Sequence, residues 1–166
     1  MRVKLIIVFS LILSIGLPTI SRAQSQQDSV ECSVLIDKLI RYAKGFIGTP
    51  YQWGSDGPDS FDCSGYVHYI FHAIGYEVKR NSKQLSETGI KVNLREIKKG
   101  DLVFFVSGVF PDRDITHVGI AITDYENNNF RFIHANKTDG KVSINEYRET
   151  RFYNSYGGAR RIIPCQ

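Results

Sequence analysis

With only three cysteines among 166 residues, Cys32, Cys63 and Cys165, the sequence cannot build a disulfide scaffold; it has enough for one intramolecular pair if one thiol stays free. It has no apolar run of the roughly 20 residues a membrane span needs; Leu5 to Ile15, nearly unbroken, is shorter. It also lacks a basic surplus. The formal net charge is +4, but Arg2, Lys4 and Arg22 stand in a first segment with no acidic residue, and the remainder is close to neutral. A nucleic-acid footprint is therefore missing. No internal repeat, low-complexity tract or interdomain linker is found, which leaves one domain large enough for its own core. His68 and His72 have the i, i+4 spacing of a helical metal pair, yet Tyr69 stands where a zinc protease of that type carries its glutamate. No metal or other cofactor is expected.

What is present begins with an export signal. Arg2 and Lys4 precede the apolar run, Pro18 follows it, and Ser21-Arg22-Ala23 offers small residues for cleavage after Ala23. Residues 1–23 then read as a secretory signal peptide and 24–166 as a single catalytic domain acting in the periplasm or outside the cell. No cysteine follows the run closely enough for lipid attachment, so no stable membrane anchor is expected after cleavage. Export makes a Cys32–Cys165 disulfide plausible. Closing most of the chain into one loop is worth up to ~5 kcal/mol in the chain-entropy picture.

The chain is organised around Asp62-Cys63-Ser64-Gly65. After Cys63, Val67, Ile70, Phe71 and Ile74 fall on one helical face, Gly75 stops the run, and Asp62 is a good N-cap. Cys63 thus sits in a first turn whose N–H groups and dipole favour an anion, an environment that lowers a thiol's pKa. Upstream, Ser25 to Ser29 reads as a loose polar leader. Leu35, Leu39, Tyr42 and Phe46 give a helix over about 30–47, and Thr49 to Ser60 is a Gly- and Pro-rich loop. Glu77 to Lys99 is polar, with turns or short helix at best.

The period then changes. Leu102 to Val106 is an apolar run suited to a strand buried on both faces. Ser107 to Ile115 reads as a long loop, and Thr116 to Thr123 alternates as a strand. Phe130 to Ala135, Val142 to Ile144 and Ala159 to Ile163 supply further strands, with a helical turn within Glu146 to Tyr153. Helices followed by antiparallel strands make an α+β domain.

A cysteine nucleophile needs a base, an orienter for that base and donors for an oxyanion. His117, on the small-residue face of its strand with Gly119 and Ala121, is the candidate base. His134 on the next strand is the candidate orienter, within cross-strand reach. The N–H of Cys63 and the hydroxyl of Tyr51 are candidate oxyanion donors.

These residues resemble the NlpC family of bacterial cell-wall cysteine peptidases, over about Ile40 to Ile163. The matching stretches stand in the family's order. They are Gly48-Thr49-Pro50-Tyr51-Gln52-Trp53-Gly54, Phe61-Asp62-Cys63-Ser64-Gly65, Gly100-Asp101-Leu102-Val103-Phe104-Phe105, Thr116-His117-Val118-Gly119-Ile120 and Phe132-Ile133-His134-Ala135. The resemblance implies a papain-like fold, N-terminal helices on an antiparallel sheet with the nucleophile at a helix N-terminus. It implies Cys63, His117 and His134 as the catalytic residues, Tyr51 near the oxyanion, and Asp62 and Ser64 lining a pocket for the substrate's free amine. The implied reaction is hydrolysis of a peptidoglycan stem peptide, usually between γ-D-glutamate and diaminopimelate or lysine, by a monomer. Ser55, in place of a second glycine after Trp53-Gly54, and the long Val106 to Ile115 stretch depart from the family pattern. Other readings are an amidase or acyltransferase on the same fold, a non-catalytic wall-binding module and, most distantly, a zinc hydrolase.

Overall fold

The computed structural model describes residues 18–108 and 111–164. Helix α1 spans Pro18–Lys44. It starts well before the helix expected from about residue 30, because no breaker interrupts Ser25 to Ser29. The exposed residues 26–29 bond within the helix instead: the Ser29 hydroxyl donates to the Gln26 carbonyl, and the Gln27 amide to Glu31. The expected loose leader is therefore helical. Of the expected signal peptide, residues 1–17 lie outside the described residues, and Ala23 falls within α1. The expected Cys32–Cys165 pair cannot be placed either, since residue 165 lies outside the described residues; Cys32 is buried on α1. Among the described residues no helix is long and apolar enough to cross a membrane.

Aromatic residues join the end of α1 to helix α2, Cys63–His72. Phe46 sits edge-on to Phe61 and Tyr69 at 5.4 Å, and Phe61 edge-on to Tyr66 at 5.3 Å. Such contacts add about 0.5–1.5 kcal/mol each beyond burial. The buried Tyr66 hydroxyl donates to the Ala43 carbonyl at 2.8 Å, beside the Phe46 N–H that the same carbonyl accepts at 3.2 Å where α1 ends. The N-terminus of α2 is thereby fixed against the rest of the molecule.

Beyond a short helix α3, Ser82–Leu85, lie six strands: β1 Ile90–Val92, β2 Leu102–Ser107, β3 Asp114–Ala121, β4 Arg131–Asn136, β5 Lys141–Glu146 and β6 Tyr156–Arg161. Helix α4, Thr150–Ser155, precedes β6. The sheet order is β1-β6-β2-β3-β4-β5, every pair antiparallel, so the α+β arrangement follows expectation. β2 is buried on both faces: Leu102 and Phe104 pack with α1 and α2, while Val103 and Phe105 pack in a second cluster with Phe130, Phe132 and Phe152.

Three expectations change. β1 lay unrecognised in the polar stretch because it is short and only Val92 is buried. The last strand runs over Tyr156–Arg161, earlier than expected, because pairing with β2 rather than apolar content defines it. Ser107, Asp114 and Ile115, expected in the long loop, belong to strands instead, since Val106 pairs with Ile115 and Ser107 with Asp114. At the base of β2, buried Asp101 takes Arg161 on both oxygens at 2.8 Å and the N–H of Lys98 at 2.9 Å.

Candidate active site

Asp62 has the extended backbone of an N-cap, and its Oδ1 accepts from the N–H of Gly65 at 2.7 Å. Its other partners were not expected. Arg80 reaches back from the polar stretch to grip the carboxylate with Nη1 to Oδ1 at 2.9 Å and Nη2 to Oδ2 at 3.0 Å. Arg80 also donates to the Ser64 hydroxyl and the Ser55 carbonyl, and the N–H of Gly54 donates to Oδ2. Burial pushes the Asp62 carboxyl up, but Arg80 and the Gly65 and Gly54 N–H groups outweigh it and hold it below its ordinary range. No side chain fits at Gly65, where a Cβ would stand 2.2 Å from the Ser55 carbonyl. This clamp pins the Trp53–Ser55 turn over the first turn of α2, and with it Cys63. In the sequence, Arg80 was one of several cations in a polar run, 18 residues beyond its partner.

On the other side of the cleft a β-bulge sets the geometry. β2 pairs Phe105 with His117 but Val106 with Ile115, so Thr116 is an extra residue on β3. Bulges bend a strand and re-aim side chains. The Thr116 carbonyl stands 4.0 Å from Cys63 Sγ, and His117, on the opposite face from Val118, lines the same cleft as Cys63. His117 Nε2 lies 2.5 Å from His134 Nδ1, with the rings edge to face. Gly119 makes this possible. A Cβ there would stand 2.9 Å from the Phe132 ring and 3.2 Å from His134 Cβ. His134 is fully buried, 4.8 Å from the Phe132 ring and 5.4 Å from that of Phe152, and its Nε2 is 2.9 Å from Asn145 Oδ1.

The electrostatics correct one expectation. Cys63 is a free, buried thiol, and burial together with the Asp62 carboxylate pushes its pKa up. The N–H groups of Val118, Ser64 and Cys63 pull the other way without winning. The helix start therefore supplies donors as expected, but the resting state is not a ready thiolate, because desolvation exceeds their effect. Burial, His134 and the Arg151 guanidinium hold His117 well below the usual imidazole range. His134 falls to about 4, through burial first, with its Asn145 bond opposing. Burial thus disfavours the charged form of both the thiol and the imidazole.

The cleft, about 410 Å³, is lined by Tyr51, Trp53, Cys63, His117, Lys137 and Arg151 among others. Burial, Cys63 and Asp62 raise the pKa of Tyr51, which places its phenol in the field of the Cys63 sulfur. Asp62 and Ser64 turn instead towards Arg80, behind the lining. Ser55 is held by Ser60, its hydroxyl donating to the Ser60 carbonyl at 2.9 Å. His68 and His72 stack at 6.3 Å, with His72 3.5 Å from Glu77. Among the described residues no group of three or more His, Cys, Asp or Glu could hold a metal ion.

Comparison with known proteins gives the chain's relatives. The chain is 33% identical over 128 residues to a γ-D-glutamyl-L-lysine dipeptidyl-peptidase of Bacillus cereus, an alignment covering 77% of this chain and 37% of that protein. A crystal structure of an NlpC/P60 family protein from Bacillus cereus superposes with a TM-score of 0.70 at 32% identity, over 78% of this chain and 40% of the other. The NlpC/p60 domain of the peptidoglycan hydrolase SagA superposes with a TM-score of 0.62 at 26% identity, covering 76% of this chain and 98% of that one. The chain thus spans less than half the length of the Bacillus cereus relative. A family model for the NlpC/P60 family matches residues 48–161, the stretch that carries the clamp, the bulge and both histidines, and the chain belongs to that family.

Proposed function

We propose that the protein is an exported cysteine endopeptidase that hydrolyses peptidoglycan stem peptides through an acyl-enzyme on Cys63. One observation carries this reading: Cys63, at a helix start, and His117, bonded through Nε2 to His134, line one open cleft. His117 takes the Sγ proton as the sulfur attacks the scissile carbonyl carbon. The N–H of Cys63, with Tyr51 nearby, meets the oxyanion. Collapse breaks the C–N bond, the leaving amine takes the proton from His117, and a thioester remains. Water, deprotonated by His117, then attacks the thioester, and the thiolate recovers its proton as the acid leaves.

The bond joining γ-D-glutamate to diaminopimelate or lysine is the proposed target, in keeping with the Bacillus cereus relative's name. Asp62 already holds Arg80, Gly65, Gly54 and Ser64, so a substrate amine at Asp62 and Ser64 would join the Arg80 cluster as a further partner. Export rests on the sequence of residues 1–23. A Cys32–Cys165 disulfide is proposed beside the free Cys63, and alkylation of both cysteines without reductant would exclude it. Incubating the protein with purified stem peptides that differ in their third residue, and sequencing the products, tests the activity. Two free ends from one γ-D-glutamyl bond are expected. An acyl adduct on an acceptor would identify a transferase instead, and undiminished cleavage by Cys63→Ala would remove Cys63 from its role.

A further inference from the structure

Beyond His134 the hydrogen bonds continue to a carboxylate. Asn145 Nδ2 stands 2.9 and 3.1 Å from the two oxygens of Glu149, and Glu149 also accepts the N–H of Glu146 at 3.0 Å. Asn145 Oδ1 faces His134 Nε2 at 2.9 Å, with the Asn136 amide and the Ser143 hydroxyl each at 3.3 Å. An ionised carboxylate only accepts, so the amide group facing Glu149 must be the NH₂ and the oxygen must face His134. His134 Nε2 then carries its proton, and Nδ1 is a bare acceptor. His117 Nε2 must therefore donate to it, which leaves His117 Nδ1 as the unprotonated nitrogen.

We propose that Asn145 and Glu149 are positioning residues for the reaction. In this reading the carboxylate at 149 imposes one direction on the chain Glu149–Asn145–His134–His117 and so selects the tautomer in which His117 can accept the Cys63 proton. The inference rests on the proposed peptidase chemistry, but its direct readout does not need turnover. An amide at 149 can face Asn145 with either its oxygen or its NH₂, so Glu149→Gln removes the direction while conserving shape. Exchanging the two groups, Asn145→Asp with Glu149→Gln, restores it: the amide donates to the new carboxylate, which again accepts from His134.

Imidazole nitrogen chemical shifts, recorded by NMR on histidine-labelled protein carrying Cys63→Ala, report the tautomers. A single Nε2–H form at both histidines is expected in the parent, a mixture in Glu149→Gln, and the single form again in the exchanged pair. With Cys63 intact, Glu149→Gln should lower kcat roughly 10-fold with KM unchanged, less than the ~10² at the bottom of the range for a positioned proton carrier because His117 itself remains, and the exchanged pair should recover most of it. Unchanged tautomers in folded Glu149→Gln would overturn the inference, as would an exchanged pair that folds and stays mixed. Should Glu149→Gln fail to fold, the exchanged pair alone decides by the same spectra. If the parent cleaves no stem peptide, the spectra still judge this inference while the proposed function fails separately.

Discussion

The two walls of the cleft are held by different physics. The cysteine wall is charged: Asp62 and Arg80 form a two-pronged ion pair behind the first turn of α2, joined by N–H groups of Gly54 and Gly65. The histidine wall is a neutral chain, His117 to His134 to Asn145, in a bed of Phe105, Phe132 and Phe152; its hydrogen bonds reach a formal charge at Glu149, and the Arg151 guanidinium stands close enough to act on both histidines. A clamp made by backbone and one ion pair fixes where the sulfur is. A chain of side-chain hydrogen bonds fixes which nitrogen is bare. Position belongs to one wall and protonation to the other.

That contrast can be broken most sharply at the reacting atoms. Cys63→Ala and His117→Ala should each lower cleavage of a stem peptide by roughly 10⁴-fold or more, whereas His134→Ala, which orients without transferring the proton, should cost about 10². Equal losses at the two histidines, in steady-state kinetics on one peptide, would show that orientation counts as much as proton transfer. Next in size is the charged wall. Arg80→Met leaves a buried carboxylate with only the Gly54 and Gly65 N–H groups and the Ser64 hydroxyl as partners, and urea unfolding should register a loss of about 2 kcal/mol, below the 3–5 of a fully buried pair because Arg80 is about one-third exposed.

The neutral wall should show itself in acid. Both histidines have pKa values below the unfolded 6.5, His134 at about 4, so above pH 6.5 neither state gains protons and stability is flat with respect to them. Below 6.5 the unfolded chain takes up protons that the folded one refuses. Stability should therefore fall by up to about 1.4 kcal/mol per pH unit per histidine, until the folded groups themselves titrate near 4 for His134. Melting temperatures from pH 7.5 to 4.5 would show the slope, and His134→Gln should reduce it. Smallest is Gly119→Ala, where a methyl pressed between Phe132 and His134 should cost about 1 kcal/mol of overpacking. Its activity should drop more than its stability, because the Phe132 ring, which at 2.9 Å must give way first, packs directly on His134.

How well each wall could be read in the sequence follows the same division. Asp62, Cys63 and the apolar stripe to Phe71 are contiguous, and capping and periodicity are local rules, so the helix and its cysteine were legible directly. β2 was legible because an unbroken apolar run admits few other fates. Arg80 was not, since nothing local distinguishes a cation destined for a buried carboxylate from one in water. Neither were Asn145 and Glu149, a polar pair in a short strand and a turn, because the residue that gives the pair its meaning, His134, comes from β4 and bonds to Asn145. The thiol's state was misjudged for a related reason: N–H donors at a helix start are visible in sequence, whereas the depth of burial that outweighs them is not.

By itself the sequence determined the helix that presents Cys63, the alternation that made His117 and His134 partners, and the α+β order of elements, because each depends on neighbours close along the chain. Only the tertiary structure decided how the sites meet. The bulge at Thr116, the clearance at Gly119, the reach of Arg80 and the direction of the bonds from Glu149 to His117 all join residues distant in sequence, and burial at their meeting point sets the charge each one carries.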